Sequence, residues 1–155
     1  ALKSSLIDKV IVSTESEKVI EIASKYKVET IKRSKDLLGD AEVCDVYVDV
    51  IKQLCKRNEI IPEDYSYVVG LQPDHPDRDN EIDLLINYAY ENKYDDLFTV
   101  SKKYVRTGSI RIIKIEHIIK GFVSRRVGCF KDDATNIHSL EDLQNSEKRI
   151  IGTYN

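Results

Sequence analysis

The residues with the most chemistry to offer crowd one short stretch, Leu71-Gln-Pro-Asp-His-Pro-Asp-Arg78. Gln72, Asp74, His75, Asp77 and Arg78 bring together an amide, carboxylates, an imidazole and a fixed cation, a set suited to holding a polar ligand. Pro73 and Pro76 exclude regular structure there, so the loop is stiff. The plainer alternative is a rigid proline turn with ordinary surface charge. A second polar stretch is Asn136-Ile-His138, with an amide and an imidazole. With Asp74 or Asp77, His75 and His138 would make a donor set for a divalent metal softer than Mg²⁺. Asp132 and Asp133 lie close by, as compensating ligands or as a solvated pair. His117, on a short helix, reads as structural.

Such loops need a scaffold, and the apolar pattern supplies one. Val68, Val69 and Leu71 form a run long enough for a strand and too short for a helix, so a buried strand delivers the polar loop at its carboxyl end. That end of a central strand is where open α/β sheets bind ligands. Upstream, Lys9–Thr14 reads as a strand, and Thr14 or Ser16 can cap a helix over Glu17–Tyr26, with Val19, Ile22, Ala23 and Tyr26 on one stripe. A strand over Val28–Ile31 and a helix over Glu42–Arg57 follow. Downstream come a helix over Asn80–Asn92 capped by Asp79, strands over Asp96–Val100 and Ser109–Ile113, and a short helix over Ile115–Lys120 stopped by Gly121. A last strand covers Arg126–Phe130. Ser139 and Asp142 have the spacing of a capping box for a helix over Leu140–Glu147. This alternation predicts an α/β domain of three layers, a mostly parallel sheet with helices on both faces.

Composition sets the outer limits. With 155 residues, 41% hydrophobic and 33% charged, the chain fits a single domain with its own core. A net charge of −3 gives no drive toward nucleic acid or anionic membrane. No apolar run has the length of a membrane span and no signal peptide is evident, which predicts a cytoplasmic protein. Cys44, Cys55 and Cys129 have no zinc or disulfide spacing, so reduced thiols are expected. The chain contains no Met and opens on what reads as a helix tail, which predicts that it is part of a longer protein.

The residues resemble the CMP-acylneuraminate synthetases and related sugar cytidylyltransferases. Similar segments follow in the same order: Asp8–Thr14, then Lys32-Arg33 with Leu38-Gly-Asp40 and Asp45-Val46, then Leu71–Arg78, and finally Asn136–Leu143. The resemblance implies a glycosyltransferase-A-like, Rossmann-like nucleotidyltransferase that uses CTP and an acidic sugar of the ulosonic type. A sugar hydroxyl would attack the α-phosphate and pyrophosphate would leave, with Mg²⁺ or Mn²⁺ and basic side chains neutralising charge. It places Gln72 and Arg78 in catalytic positions and Arg33, Cys44, Gln72, Asp74 and His75 against nucleotide or sugar. Arg33 alternatively reads as a surface arginine, and Cys44 as a small core residue.

Departures from the family pattern are concentrated at the chemistry. The family's central loop usually reads Leu-x-Pro-Thr-Ser-Pro-x-Arg, where this chain has Asp74 and His75. The family's metal-holding aspartates correspond to Asn136 and His138, a poorer site for a hard cation. The family's N-terminal strand and phosphate loop would precede Ala1, and without them transfer is not expected. The segment between Val100 and Arg106 is shorter than the family's, which there carries substrate contacts and a dimer-forming extension, so a homodimer remains open. The alternatives to the enzyme are a nucleotide-sugar fold acting as a binding or scaffolding protein, and a nucleotidyltransferase using another nucleotide or acceptor.

Overall fold

A computed structural model describes residues 1–39, 41–78, 81–121 and 124–153. Among the described residues, six strands and five α-helices follow the sequence: β1 (Ile11–Thr14), α1 (Glu17–Lys25), β2 (Glu29–Lys32), α2 (Val43–Lys56), β3 (Tyr67–Leu71), α3 (Ile82–Glu91), β4 (Asp96–Val100), β5 (Arg106–Lys114), α4 (Ile115–Lys120), β6 (Val127–Lys131) and α5 (Leu140–Thr153). Local chemistry accounts for several ends. Gly121 stops α4 at φ 67°, in the left-handed region that suits glycine. At the start of α5, Asp142 N–H donates to Ser139 Oγ at 3.2 Å while Ser139 N–H donates to the Asp142 carboxylate at 2.9 Å, so the expected capping box forms.

The start of α1 differs from expectation. Neither Thr14 nor Ser16 caps a helical N–H with its side chain; the Thr14 hydroxyl accepts from Ser16 N–H at 3.1 Å instead. A hydroxyl directly before a helix can serve the turn leading into it equally well. The expected cap at Asp79, and Asp40 of the Leu38-Gly-Asp40 turn, lie outside the described residues.

The strands form two sheets rather than one mostly parallel sheet. β1 and β2 make a parallel pair, and the other sheet has the order β3-β5-β4-β6. In that sheet β5 runs antiparallel to both β3 and β4, and only β4 and β6 are parallel. The reason is the short β4–β5 connection: Ser101 N–H donates to Val105 C=O at 2.8 Å, and Tyr104 turns with φ 60°. A tight hairpin returns the chain antiparallel, whereas a parallel return needs a long crossover.

Alternation along β5 divides the core. Ile110 and Ile112 pack with Leu85 and Ala89 of α3 and Leu97 of β4, while Ile113 faces Ile51 of α2 and Ile115 and Ile118 of α4. Helices thus cover both faces of the larger sheet. On the α2 side the Tyr47 ring lies over Gly70, so closely that a Cβ there would sit 1.7 Å from the phenolic oxygen. Burial pushes the Tyr47 hydroxyl pKa up to about 12. Gly70→Ala should therefore destabilise the domain by about 1–3 kcal/mol. Urea melts of Gly70→Ala, Tyr47→Ala and the double variant should show that the losses do not add, because removing the ring removes the clash.

Candidate functional site

The proline loop is built by β3 and fastened by its own last residue. Gln72 N–H donates to Ser109 C=O at 3.1 Å, extending the β3–β5 ladder one position beyond the strand. Arg78 then folds back: its Nε donates to Ser109 Oγ at 3.1 Å, and its Nη2 donates to Ser109 C=O at 3.2 Å and to Gln72 C=O. Burial lowers the Arg78 pKa, opposed by Asp132, Asp74 and Asp77 around it. This guanidinium is a clasp for the loop. Its Nε and Nη2 donors point at backbone and serine.

The loop's acids face two ways. Asp74 Oδ1 and His75 Nδ1 are hydrogen-bonded at 2.8 Å, and the Asp74 backbone C=O accepts from Ile137 N–H at 3.0 Å. Asp77, only 6% exposed, accepts from Thr135 N–H at 2.8 Å and Thr135 Oγ1 at 2.7 Å, and pairs with Arg149 of α5 at 3.0 Å. The two polar corners of the sequence thus meet directly. Asn136 and His138 flank Ile137 beside the loop, and both are exposed.

A cavity of about 690 Å³ opens next to this junction. Its walls are β1, β3 and the apolar side of α2, and Arg33, Thr14, Gln72 and Pro73 line the end where β1 and β3 finish. Arg33 follows β2 and reaches across, its Nη2 donating to Ser13 C=O at 2.8 Å. Gln72, half-buried, shares the groove with it. A cation and an amide at the carboxyl ends of two strands can hold an anionic ligand and fix its orientation.

Other candidate residues sit apart from the groove. Cys44, in the first turn of α2, accepts from Arg111 Nη1 at 2.8 Å, while the rest of that guanidinium grips Asp96 at 3.0 and 2.7 Å. It packs with the α2–α4 core, as the alternative reading of Cys44 has it. His75 is 2% exposed, and its Nε2 has no hydrogen-bond partner among the described residues. It lies beneath the loop rather than in the groove. His117 Nε2 lies 3.6 Å from Asp95, far along the chain from the loop.

The residues present do not fit a Mg²⁺ site. Asn136 and His138 offer one amide oxygen and one imidazole, where a hard cation selects carboxylates. Asp133 is held by Lys102 at 2.6 Å, and that ion pair keeps its carboxyl below its ordinary value. Asp132 is 1% exposed and its oxygens find no donor among the described residues, so it is walled off from solvent beside β6. No group of three or more His, Cys, Asp or Glu among the described residues is arranged to hold a metal.

Reasoning from sequence did not single out Thr135 or Arg149. Neither stands in a motif, and their importance comes only from reaching Asp77 across a long chain separation. Asp132 was visible as half of an acidic pair, but nothing local foretells its burial. Among known proteins, no family model matches this sequence, and a search of curated proteins returns no match.

Proposed function

We propose that the protein transfers CMP from CTP to an acidic sugar of the ulosonic type, on a three-layer nucleotidyltransferase scaffold in the cytoplasm. The observation that supports this reading is the junction itself. The loop after β3 and the Asn136–His138 corner are pinned together by the Ile137 N–H to Asp74 C=O bond, beside a groove holding Arg33 and Gln72. In the transfer, a sugar hydroxyl oxygen attacks the α-phosphorus, the bond to the pyrophosphate oxygen breaks, and the hydroxyl proton is lost. Arg33 would meet phosphate charge, and the Gln72 amide would orient the sugar. Arg78, through Ser109, keeps the loop in register.

The test is pyrophosphate release by the full-length protein with CTP, a panel of ulosonic acids and Mg²⁺ or Mn²⁺ in the buffer. Gln72→Ala should cut turnover about 100-fold while leaving the melting temperature unchanged, because a half-buried amide at the groove end contributes orientation rather than core packing. No release with any acceptor, or a large loss of stability in that variant, defeats the reading.

A second reading is a protein that binds the nucleotide without transferring it. The exposed Asn136 and His138, with no carboxylate between them, favour it. Calorimetry then separates the two: CTP binding with heat but no pyrophosphate identifies the binding protein.

A further inference from the structure

The larger sheet ends at β6, and no described strand pairs with its outer side. Asp95 N–H donates to Arg126 C=O at 2.8 Å and Asp132 N–H donates to Val100 C=O at 2.8 Å, one bond at each end of the β4–β6 pair. Backbone direction alternates along a strand, so Gly128 and Phe130 also face β4. The N–H and C=O of Val127, Cys129 and Lys131 therefore point away from the sheet. The side chains of those three residues share one face of β6, and all are exposed.

Exposed edges in proteins are normally blunted by a proline, a bulge or a charge placed along the edge. β6 has no proline and keeps an unbroken register with β4 from Val127 to Lys131. Its one charged residue, Lys131, leans over the Tyr104 ring, with Nζ 4.4 Å from the ring centre. The opposite face of the strand is held firmly. Tyr94 lies against Gly128, where an added Cβ would come within 2.5 Å of the ring, and Tyr88 meets Phe130 edge-on with centroids 5.2 Å apart. β6 is thus an ordered template with a row of outward donors and acceptors, and such rows are completed by another strand.

The sequence of the edge suits a copy of itself. Val127-Gly-Cys-Phe-Lys131 is centred on Cys129, so antiparallel pairing about a two-fold axis sets Cys129 opposite Cys129 and Val127 opposite Lys131. These are the residues whose backbone groups point outward. The exposed Val127 is then covered by the aliphatic stem of the lysine. Beyond the strand, Arg125 and Asp133 stand equally far from Cys129 on either side, so opposite charges meet at both ends. A strand from an unrelated protein would find the same backbone row but neither the symmetric centre nor the matched charges. We propose that β6 pairs with β6 of a second copy of this chain, joining two four-stranded sheets into one continuous sheet. The contact is made by the edge of β6 rather than by the β4–β5 connection, and it is independent of what the groove binds.

Sedimentation of the 155-residue chain should show a reversible monomer–dimer equilibrium. Amide exchange at Val127, Cys129 and Lys131 should slow about tenfold as the dimer forms, while Gly128, Phe130 and Asp132, which face β4, stay unchanged. Hydrogen-bonded antiparallel residues have Cα atoms about 5.5 Å apart, within reach of a disulfide. A mild oxidant, taking two electrons for each bond, should therefore link the dimer through Cys129 and leave Cys44 and Cys55 as thiols. Cys129→Ser should keep the dimer and lose the link. Cys129→Lys should abolish the dimer by setting two cations face to face, with the melting temperature of dilute protein unchanged because the position is exposed. A chain that stays monomeric at about 1 mM overturns the proposal. So does a dimer that survives Cys129→Lys, or one linked through Cys44 or Cys55. If Cys129→Lys fails to fold, the exchange pattern and the mapped link still decide.

Discussion

Asp77→Ala is expected to lower stability by about 3 kcal/mol and, on the proposed reading of the groove as a CTP site, to abolish nucleotide binding. Among the described residues, Asp77 joins the proline loop both to Thr135, ahead of the Asn136–His138 corner, and to Arg149 on α5. Removing its carboxylate leaves Thr135 N–H without its acceptor and Arg149 with a nearby anion gone. Such truncations destabilise strongly because the surviving partners stay partly desolvated. The corners then lose their main tie, leaving the backbone bond from Ile137 to Asp74. Urea melts would measure the stability and CTP calorimetry the binding. Thr135→Ala should lose only about 1 kcal/mol, since it deletes the hydroxyl donor and spares the backbone one. A wild-type affinity in a folded Asp77→Ala protein would show that the corners hold together without this tie.

Asp95→Ala should destabilise the domain by about 2 to 3 kcal/mol without touching the groove. Its carboxylate, 2% exposed, accepts from Ser124 Oγ at 2.5 Å and pairs with Lys114 at 2.9 Å and Arg126 at 3.0 Å. Its backbone also serves the sheet, accepting from Lys114 N–H and donating to Arg126 C=O. Burial alone would raise its pKa, but the bonds from Ser124, Lys114 and Arg126 outweigh it and hold the carboxyl well below its ordinary value of 3.8. A depressed acid stabilises the fold fully above its unfolded pKa, and that contribution is lost as pH falls toward the folded value. The melting-temperature gap between wild type and Asp95→Asn should therefore be constant above about pH 5 and narrow as the pH drops toward about 2. A gap that widens in acid would reverse the sign and exclude this account.

The two predictions differ in what they disturb. Asp95 anchors the amino ends of β4 and β6, whereas Asp77 works at the loops where the candidate ligand groups gather. Loss of binding in Asp95→Ala at a temperature where it remains folded would mean that the groove and the sheet edge are coupled.

Elements governed by neighbouring residues were legible in the sequence. The bounds of β4 and α4, the Gly121 stop and the Ser139–Asp142 capping box all follow from periodicity and from side chains acting within a few positions. So was the strand that delivers Gln72 to a polar loop. The contact between that loop and the Asn136-Ile-His138 corner, made by the Ile137 N–H to Asp74 C=O hydrogen bond, joins residues far apart in the chain.

Strand direction was decided elsewhere. The alternation of strands and helices suggested parallel pairing, but the tight Ser101–Val105 turn sends β5 back between β3 and β4. Polar residues were harder still, because their roles depend on groups that only folding brings near. The resemblance puts Arg78 in a catalytic position until Ser109 is seen to hold its Nε and Nη2, and His75 reads as a ligand until it is found buried. By itself the sequence determined where the chain would be helical, where extended and which loop would be stiff, since those depend on local torsion and side-chain spacing. Only the tertiary structure decided which charges are neutralised, which are buried and which edges of sheet stay open, since electrostatics and pairing act through space between residues far apart in the chain.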